Sequence, residues 1–148
     1  MAKKDTEPLD LRLAPGHLLR RCHQRSHEIF NQAIGKRGIT RQQTAVLLVL
    51  AEHPGASQQE LSDASGFDRN TLAEISNRLI RKGLIERRRS DSDSRAYEVF
   101  LTAAGSRLVK RILPDAHEVQ RRILEPLPAE LRDVFVRCLR IMLGLEKP

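Results

Sequence analysis

Apolar and polar positions along this chain alternate with a helical period, interrupted once by strand-like composition, so the pattern predicts several helices around one hairpin. The first helix runs from Pro15 to about Gly35, with Leu18, Leu19, Cys22, Ile29, Phe30, Ala33 and Ile34 on one arc. His23 and Ser26 fall inside that arc, and Arg25 and His27 sit at its borders. Thr40-Arg41-Gln42-Gln43 is a capping box, in which the threonine and the glutamine three residues on each satisfy an orphan amide of the first turn. The run Ala45 to Ala51 that follows is almost wholly apolar, as expected of a buried helix forming the floor of a lobe, and it stops at Pro54-Gly55. A second capping box, Ser57 to Glu60, opens a short helix that ends at Ser65-Gly66. Asp68 then caps a helix that places Leu72, Ile75, Leu79 and Ile80 on one face, and Gly83, just past Lys82, stops it. The opposite face collects Asn70, Thr71, Glu74, Asn77, Arg78 and Arg81.

Beyond Gly83 the period changes. Leu84 to Arg89, a polar tip Ser90 to Arg95, and Ala96 to Leu101 read as two short strands joined by a turn. Thr102 caps a long helix bearing Leu108, Ile112, Leu113, Ala116, Val119, Ile123 and Leu124, with Pro114 inside it expected to bend it. Pro126-Leu127-Pro128 breaks that helix, and the last one carries Leu131, Val134, Phe135, Cys138, Leu139, Met142 and Leu143 at near-heptad spacing. Helix, tight turn, helix and basic hairpin form the layout of a winged helix-turn-helix. The fold class is therefore mainly α with a small β wing, a winged helix-turn-helix lobe plus a helical dimerisation region. Residues 1–13 read as a flexible N-terminal arm and 14–148 as a single unit, with 15–36 and 103–146 as dimerisation helices and 40–101 as the DNA-binding lobe. The first and last two helices have more apolar face than one small lobe can cover. An identical partner is expected, because twofold symmetry would set two recognition helices one DNA turn apart, ~34 Å, over a palindromic operator.

Composition narrows the partner. A formal charge of +7 favours a polyanion, and nucleic acid and an acidic membrane surface both qualify. Aromatic residues make up 3% of the chain, with no Trp and one Tyr, which argues against a single-strand or RNA platform built on stacked rings. No apolar run approaches the ~20 residues of a membrane span, and the start does not read as a signal peptide, so a soluble cytoplasmic protein without a membrane partner is expected. Cys22 and Cys138 form neither a metal-ligand spacing nor a disulfide framework. No nucleophile elbow, phosphate loop or metal pair is present, and the reading is a non-enzyme with no catalytic residue, metal or cofactor.

The segment is similar to the multiple antibiotic resistance regulator (MarR) family of bacterial transcription factors. The resemblance rests on Asp68-Arg69-Asn70-Thr71-Leu72, on Arg78-Leu79-Ile80-Arg81-Lys82-Gly83-Leu84-Ile85, on the wing signature Asp93-Ser94-Arg95, and on Leu101-Thr102-Ala103-Ala104-Gly105. It implies that the Arg69-to-Arg81 helix enters the major groove, where Arg and Asn make bidentate contacts to base edges. It also implies that Arg95 enters the minor groove while Asp93 helps hold the wing or its arginine neighbours. Ser94 stands where a second basic residue is often found. Arg87, Arg88, Arg89 and Lys82 are the expected phosphate contacts.

The stretch Leu18 to Arg25 resembles the subset of the family that responds to aromatic acids or their coenzyme A thioesters. A pocket for such an anion needs an apolar floor and one or two donors. The resemblance implies that the first helix supplies them: His23, Arg25 and Ser26 as donors, with His27 and Phe30 beside them. A histidine among core positions is more often a satisfied core residue than a ligand contact, and from the residues alone that reading stays open for His23. Arg20 and Arg21 lie further round the wheel, as solvated charges or as partners for coenzyme A phosphates, and Arg41 and Gln42 are secondary candidates. The whole reads as a homodimeric repressor released from its operator by a small aromatic carboxylate or aryl-CoA. Two alternatives stand beside it. One is a thiol-redox repressor using Cys22, against which Cys22 reads as a small core residue. The other is an architectural DNA protein without an effector.

Overall fold

The computed structural model describes residues 8–148. The expected N-terminal arm therefore lies, for residues 1–7, outside the described residues. Asp10 makes a local turn with Arg12, its carboxylate accepting from the backbone amide at 2.9 Å and from the guanidinium. Among the described residues there are six α-helices and one three-stranded antiparallel sheet. In chain order these are α1 (Pro15–Ala33), α2 (Arg41–Glu52), β1 (Ala56–Ser57), α3 (Gln58–Ser65), α4 (Arg69–Arg81), β2 (Ile85–Arg89), β3 (Tyr97–Leu101), α5 (Ala103–Leu124) and α6 (Ala129–Met142). A short 3-10 turn, Gly35–Arg37, links α1 to α2.

The chain divides into two compact units, Phe30–His117 on one side and Met1–Ile29 with Glu118–Pro148 on the other, the borders falling inside α1 and α5. In the Phe30–His117 unit, α2, α3 and α4 pack on one another and on the sheet. The core is Val46, Leu47 and Leu50 of α2, Leu61 of α3, Leu72 and Leu79 of α4, Ile85 of β2 and Val99 of β3, each almost fully buried. Burying one such side chain contributes about 1.5–3 kcal/mol, so this cluster dominates the stability of the lobe.

Local chemistry sets the helix starts. Thr40 and Ser57 both form complete capping boxes, with Gln43 and Glu60 reaching back to the cap amides. Thr102 accepts from the Gly105 amide at 3.0 Å and donates to the Gly83 carbonyl, which ties the start of α5 to the end of α4. Pro128 caps α6 without a side-chain hydrogen bond. Two glycines shape the junction of α4, β2 and α5. Gly83 has φ +67°, a conformation side chains with a Cβ resist. A Cβ on Gly105 would stand 2.0 Å from the Leu84 carbonyl oxygen, so only glycine lets α5 approach β2 there.

The sheet order is β1-β3-β2, so the hairpin expected from sequence has a third strand. β1 pairs Ala56 with Val99, and β2 pairs Ile85 with Leu101 and Arg89 with Tyr97. Two residues give β1 no hydrophobic alternation to detect. Its pairing partner lies more than forty positions away along the chain.

In the other unit, none of the α6 residues is buried, and Leu131, Val134, Val136, Met142 and Leu143 are exposed. Three first-helix positions also depart from the expected apolar core. Leu18 and Leu19 are 40% and 41% exposed, and Cys22 is exposed rather than a small core residue. The arc is apolar, but nothing in the described chain covers that part of it.

Candidate nucleic-acid interface

Asp68 positions α4. Its carboxylate accepts from the Thr71 amide at 3.0 Å and from the Thr71 hydroxyl at 2.6 Å. Those two bonds, the hydroxyl first, hold the Asp68 carboxyl below the usual carboxylate range. The same bond commits the proton of Thr71 to the cap. The Glu60 carboxyl is likewise lowered, first by the Ser57 amide. Leu72, Ile75, Ser76 and Leu79 of α4 are buried, which turns the opposite face outward. Asn70, Glu74, Asn77, Arg78 and Arg81 are all exposed. Arg69 donates to the Gln59 side chain at 3.1 Å and so ties the start of α4 to α3.

The basic strand β2 does not act as a single block, because successive side chains of a strand point to opposite faces. Arg87 shares the face of Ile85 and reaches α4, donating to the Asn77 side-chain oxygen at 3.2 Å. Arg88 lies on the other face, ion-paired with Glu86 and stacked 4.6 Å over the Phe100 ring. Arg89 sits 5.9 Å from the Tyr97 ring, with a nitrogen 3.4 Å from the Ser94 carbonyl. Lys82 is bonded within the lobe, to the Gly38 carbonyl at 2.6 Å and the Gln43 side-chain oxygen at 3.1 Å.

At the wing tip the Asp93 carboxylate accepts from the Arg95 amide at 2.9 Å and the Asp93 carbonyl accepts from the Ala96 amide at 3.0 Å. Below the turn, Ser90 donates to Glu98 at 2.8 Å. The turn is thus built by Asp93, while the guanidinium of Arg95 and the side chain of Ser94 remain exposed. A concavity of about 740 Å³ between the starts of α3 and α4 and the wing brings Arg69, Arg87 and Arg95 together. Gln59 lines it too, and sequence reasoning passed over it. The available signal was an exposed glutamine just inside a capping box, where a side chain has no core to serve.

The first-helix candidates are dispersed. Ser26 is buried and donates to the His23 carbonyl at 2.8 Å. Phe30 is buried, whereas Arg20, Arg21, His23, Arg25 and His27 are exposed. A shallow concavity of about 410 Å³ on α1 gathers Arg21, Cys22 and Arg25 but not His23, Ser26, His27 or Phe30. Arg41 is half-buried, and one of its terminal nitrogens is buried without a hydrogen-bond partner. No helix among the described residues is long and apolar enough to cross a membrane, and no cluster of candidate metal ligands occurs among them.

A capped helix with an outward polar and basic face, seated beside a hairpin tipped by arginine, defines a winged-helix transcription regulator. The family model described as MarR family matches residues 37–96. The chain is 32% identical over 146 residues to the HTH-type transcriptional repressor NicR of Pseudomonas putida, covering 99% of this chain and 92% of that one. Among solved structures it is similar to Bordetella bronchiseptica BpsR, whose DNA binding is regulated by 6-hydroxynicotinic acid, at 30% identity and TM-score 0.87 over 92% of this chain and 97% of that one. It is also similar to PcaV of Streptomyces coelicolor in complex with its natural ligand, at 33% identity and TM-score 0.86 over 93% and 97%. The chain belongs to the MarR family of DNA-binding transcriptional regulators.

Proposed function

We propose that this protein is a homodimeric repressor that binds a palindromic operator and is released from it by a small aromatic acid or its coenzyme A thioester. The observation that carries the DNA part is the outward face of α4, with Asn70, Asn77, Arg78 and Arg81 exposed and the start of the helix, Arg69, sharing a concavity with the wing residue Arg95. Arg and Asn on such a helix read base edges, and Arg95 in a minor groove adds shape readout. Arg69, Arg87 and Arg89 supply phosphate contacts with Thr71, Glu74, Lys82, Arg88, Asp93 and Ser94 in supporting places. Dimerisation is supported by α6, an amphipathic helix none of whose residues is buried in the chain alone.

For the effector, support comes from the unpartnered buried nitrogen of Arg41, since a buried guanidinium donor without an acceptor is costly and a carboxylate would satisfy it. The α1 residues Arg20, Arg21, His23, Arg25, Ser26 and His27, with Phe30, are the remaining proposed effector contacts. An aromatic-acid class fits a relative regulated by 6-hydroxynicotinic acid. A coupling of ~1–3 kcal/mol, roughly 5- to 150-fold in affinity, is enough to free an operator.

The test is a titration of labelled DNA from upstream of the gene, with and without 6-hydroxynicotinic acid, benzoate derivatives and their thioesters. Sequence-selective binding that one of these compounds weakens is the expected result. Equal binding to unrelated duplexes, unaffected by any of them, would instead fit an architectural protein.

A further inference from the structure

A further concavity, of about 630 Å³, lies wholly within the Phe30–His117 unit and shares no residue with the groove formed by α3, α4 and the wing. Five cations line it: Arg37, Lys82, Arg107, Lys110 and Arg111. No carboxylate is among its lining residues. Two of the five are already engaged, Arg37 by an ion pair to Asp115 and Lys82 by its bonds to Gly38 and Gln43. The other three stand at i, i+3 and i+4 on α5, the spacing that puts side chains on one helix face. All three are exposed and have neither an ion pair nor a hydrogen bond to another described residue. Beneath them the floor is apolar, formed by Ile39 and Leu108, both buried, and by half-buried Leu84.

Like charges gathered in a concave, apolar-floored site raise the local positive potential and are relieved by an anion that neutralises several at once. The concavity is wide and shallow, so it would hold a small molecule at an open surface and not enclose it. A duplex backbone needs charge but no apolar floor, so the floor selects for an organic body. We propose that this cleft binds a small organic oxyanion carrying at least two negative charges, its charged end held by Arg107, Lys110 and Arg111 and its apolar body resting on Ile39, Leu84 and Leu108. The site shares no residue with those proposed for the effector and does not depend on their role.

Phenyl phosphate and inorganic phosphate, compared at matched ionic strength by calorimetry and by amide chemical shifts of the full-length protein, test it. Phenyl phosphate is expected to bind more tightly than inorganic phosphate, with shifts concentrated at Gly38, Ile39 and Ala104 to Arg111. The triple variant R107Q/K110Q/R111Q should lose roughly tenfold or more in affinity while its melting temperature without ligand stays put. Lys110→Gln alone, at an exposed and unpaired position, should show a smaller loss in the same direction. Equal affinity of wild type and triple variant, or shifts confined to α1, would overturn the proposal. It also fails if the triple variant weakens operator binding without any added anion and flattens the salt dependence by about three, because the cleft would then be a DNA phosphate contact.

Discussion

The winged-helix lobe and α6 both carry apolar stripes along their helices, yet they handle them in opposite ways. In the lobe Leu47, Leu50, Leu61, Leu72 and Leu79 are all fully buried, each helix covering the apolar stripe of another. On α6, Val134 is 54% exposed and Met142 63% exposed, and no position is buried. The lobe is complete within one chain. The last helix carries a stripe that matches a core in composition and lacks the core. An apolar stripe of that size on one helix marks a surface meant to be covered. The difference separates a lobe whose core one copy completes from a helix whose apolar stripe one copy leaves open, which is what the proposed dimer would require.

The comparison breaks most severely at α6. Val134→Asp with Met142→Asp is expected to yield a monomer in sedimentation velocity and to weaken operator affinity by about two orders of magnitude, since the second half-site no longer adds its contribution. The far-ultraviolet circular dichroism of the lobe should survive. A dimer of unchanged affinity would show that the exposed stripe has another purpose.

Next in size is the lobe interior. Gly105→Ala places a methyl group 2.0 Å from the Leu84 carbonyl oxygen and must push α5 away from β2. A loss of about 1–3 kcal/mol in urea unfolding is expected, as for an overpacked core.

On the outer surface, Arg78→Ala should cost about 1–3 kcal/mol of operator binding and relax selectivity at one base position. Arg88→Ala should cost much less, because Glu86 and Phe100 already occupy that guanidinium. Measured together by fluorescence anisotropy, equal losses would mean that the strand alternation does not sort the basic run.

A gentler probe is pH. Asp68 has a folded-state pKa lowered by Thr71, so its cap contributes stability above the ordinary carboxylate range and loses it as pH falls through the lowered value. Asp68→Asn should therefore lower stability at neutral pH and flatten the acid limb, so that the variant and wild-type curves converge at low pH.

Smallest of all is Cys22→Ser. It is expected to leave operator release by the small-molecule effector intact, and abolition of release would support the thiol-redox reading.

Much of the site was legible because its chemistry is local. Asp68, Thr40 and Ser57 announce helix starts by bonds that close within three residues, and Asp93 shapes the wing by bonding two and three residues ahead. Residues 70 to 81 show their outward face from spacing alone. The fate of the neighbouring cations was not legible. Lys82 and Arg88 look like Arg81 and Arg87 in sequence, and only their partners, Gly38 in one case and Glu86 with Phe100 in the other, distinguish them.

Taken by itself, the order of residues determined the helices, their caps, the hairpin and the family, since each depends on interactions among near neighbours or on a pattern with a fixed period. Tertiary structure alone decided that β1 joins the sheet, that Gly105 must be glycine, that Leu18, Leu19 and Cys22 stay uncovered, and that α5 gathers three free cations over an apolar floor. The physical reason is separation along the chain. A contact such as Ala56 with Val99, or Lys82 with Gly38, is chosen by packing among many competing pairs, and no periodicity in the residues themselves records which pair prevails.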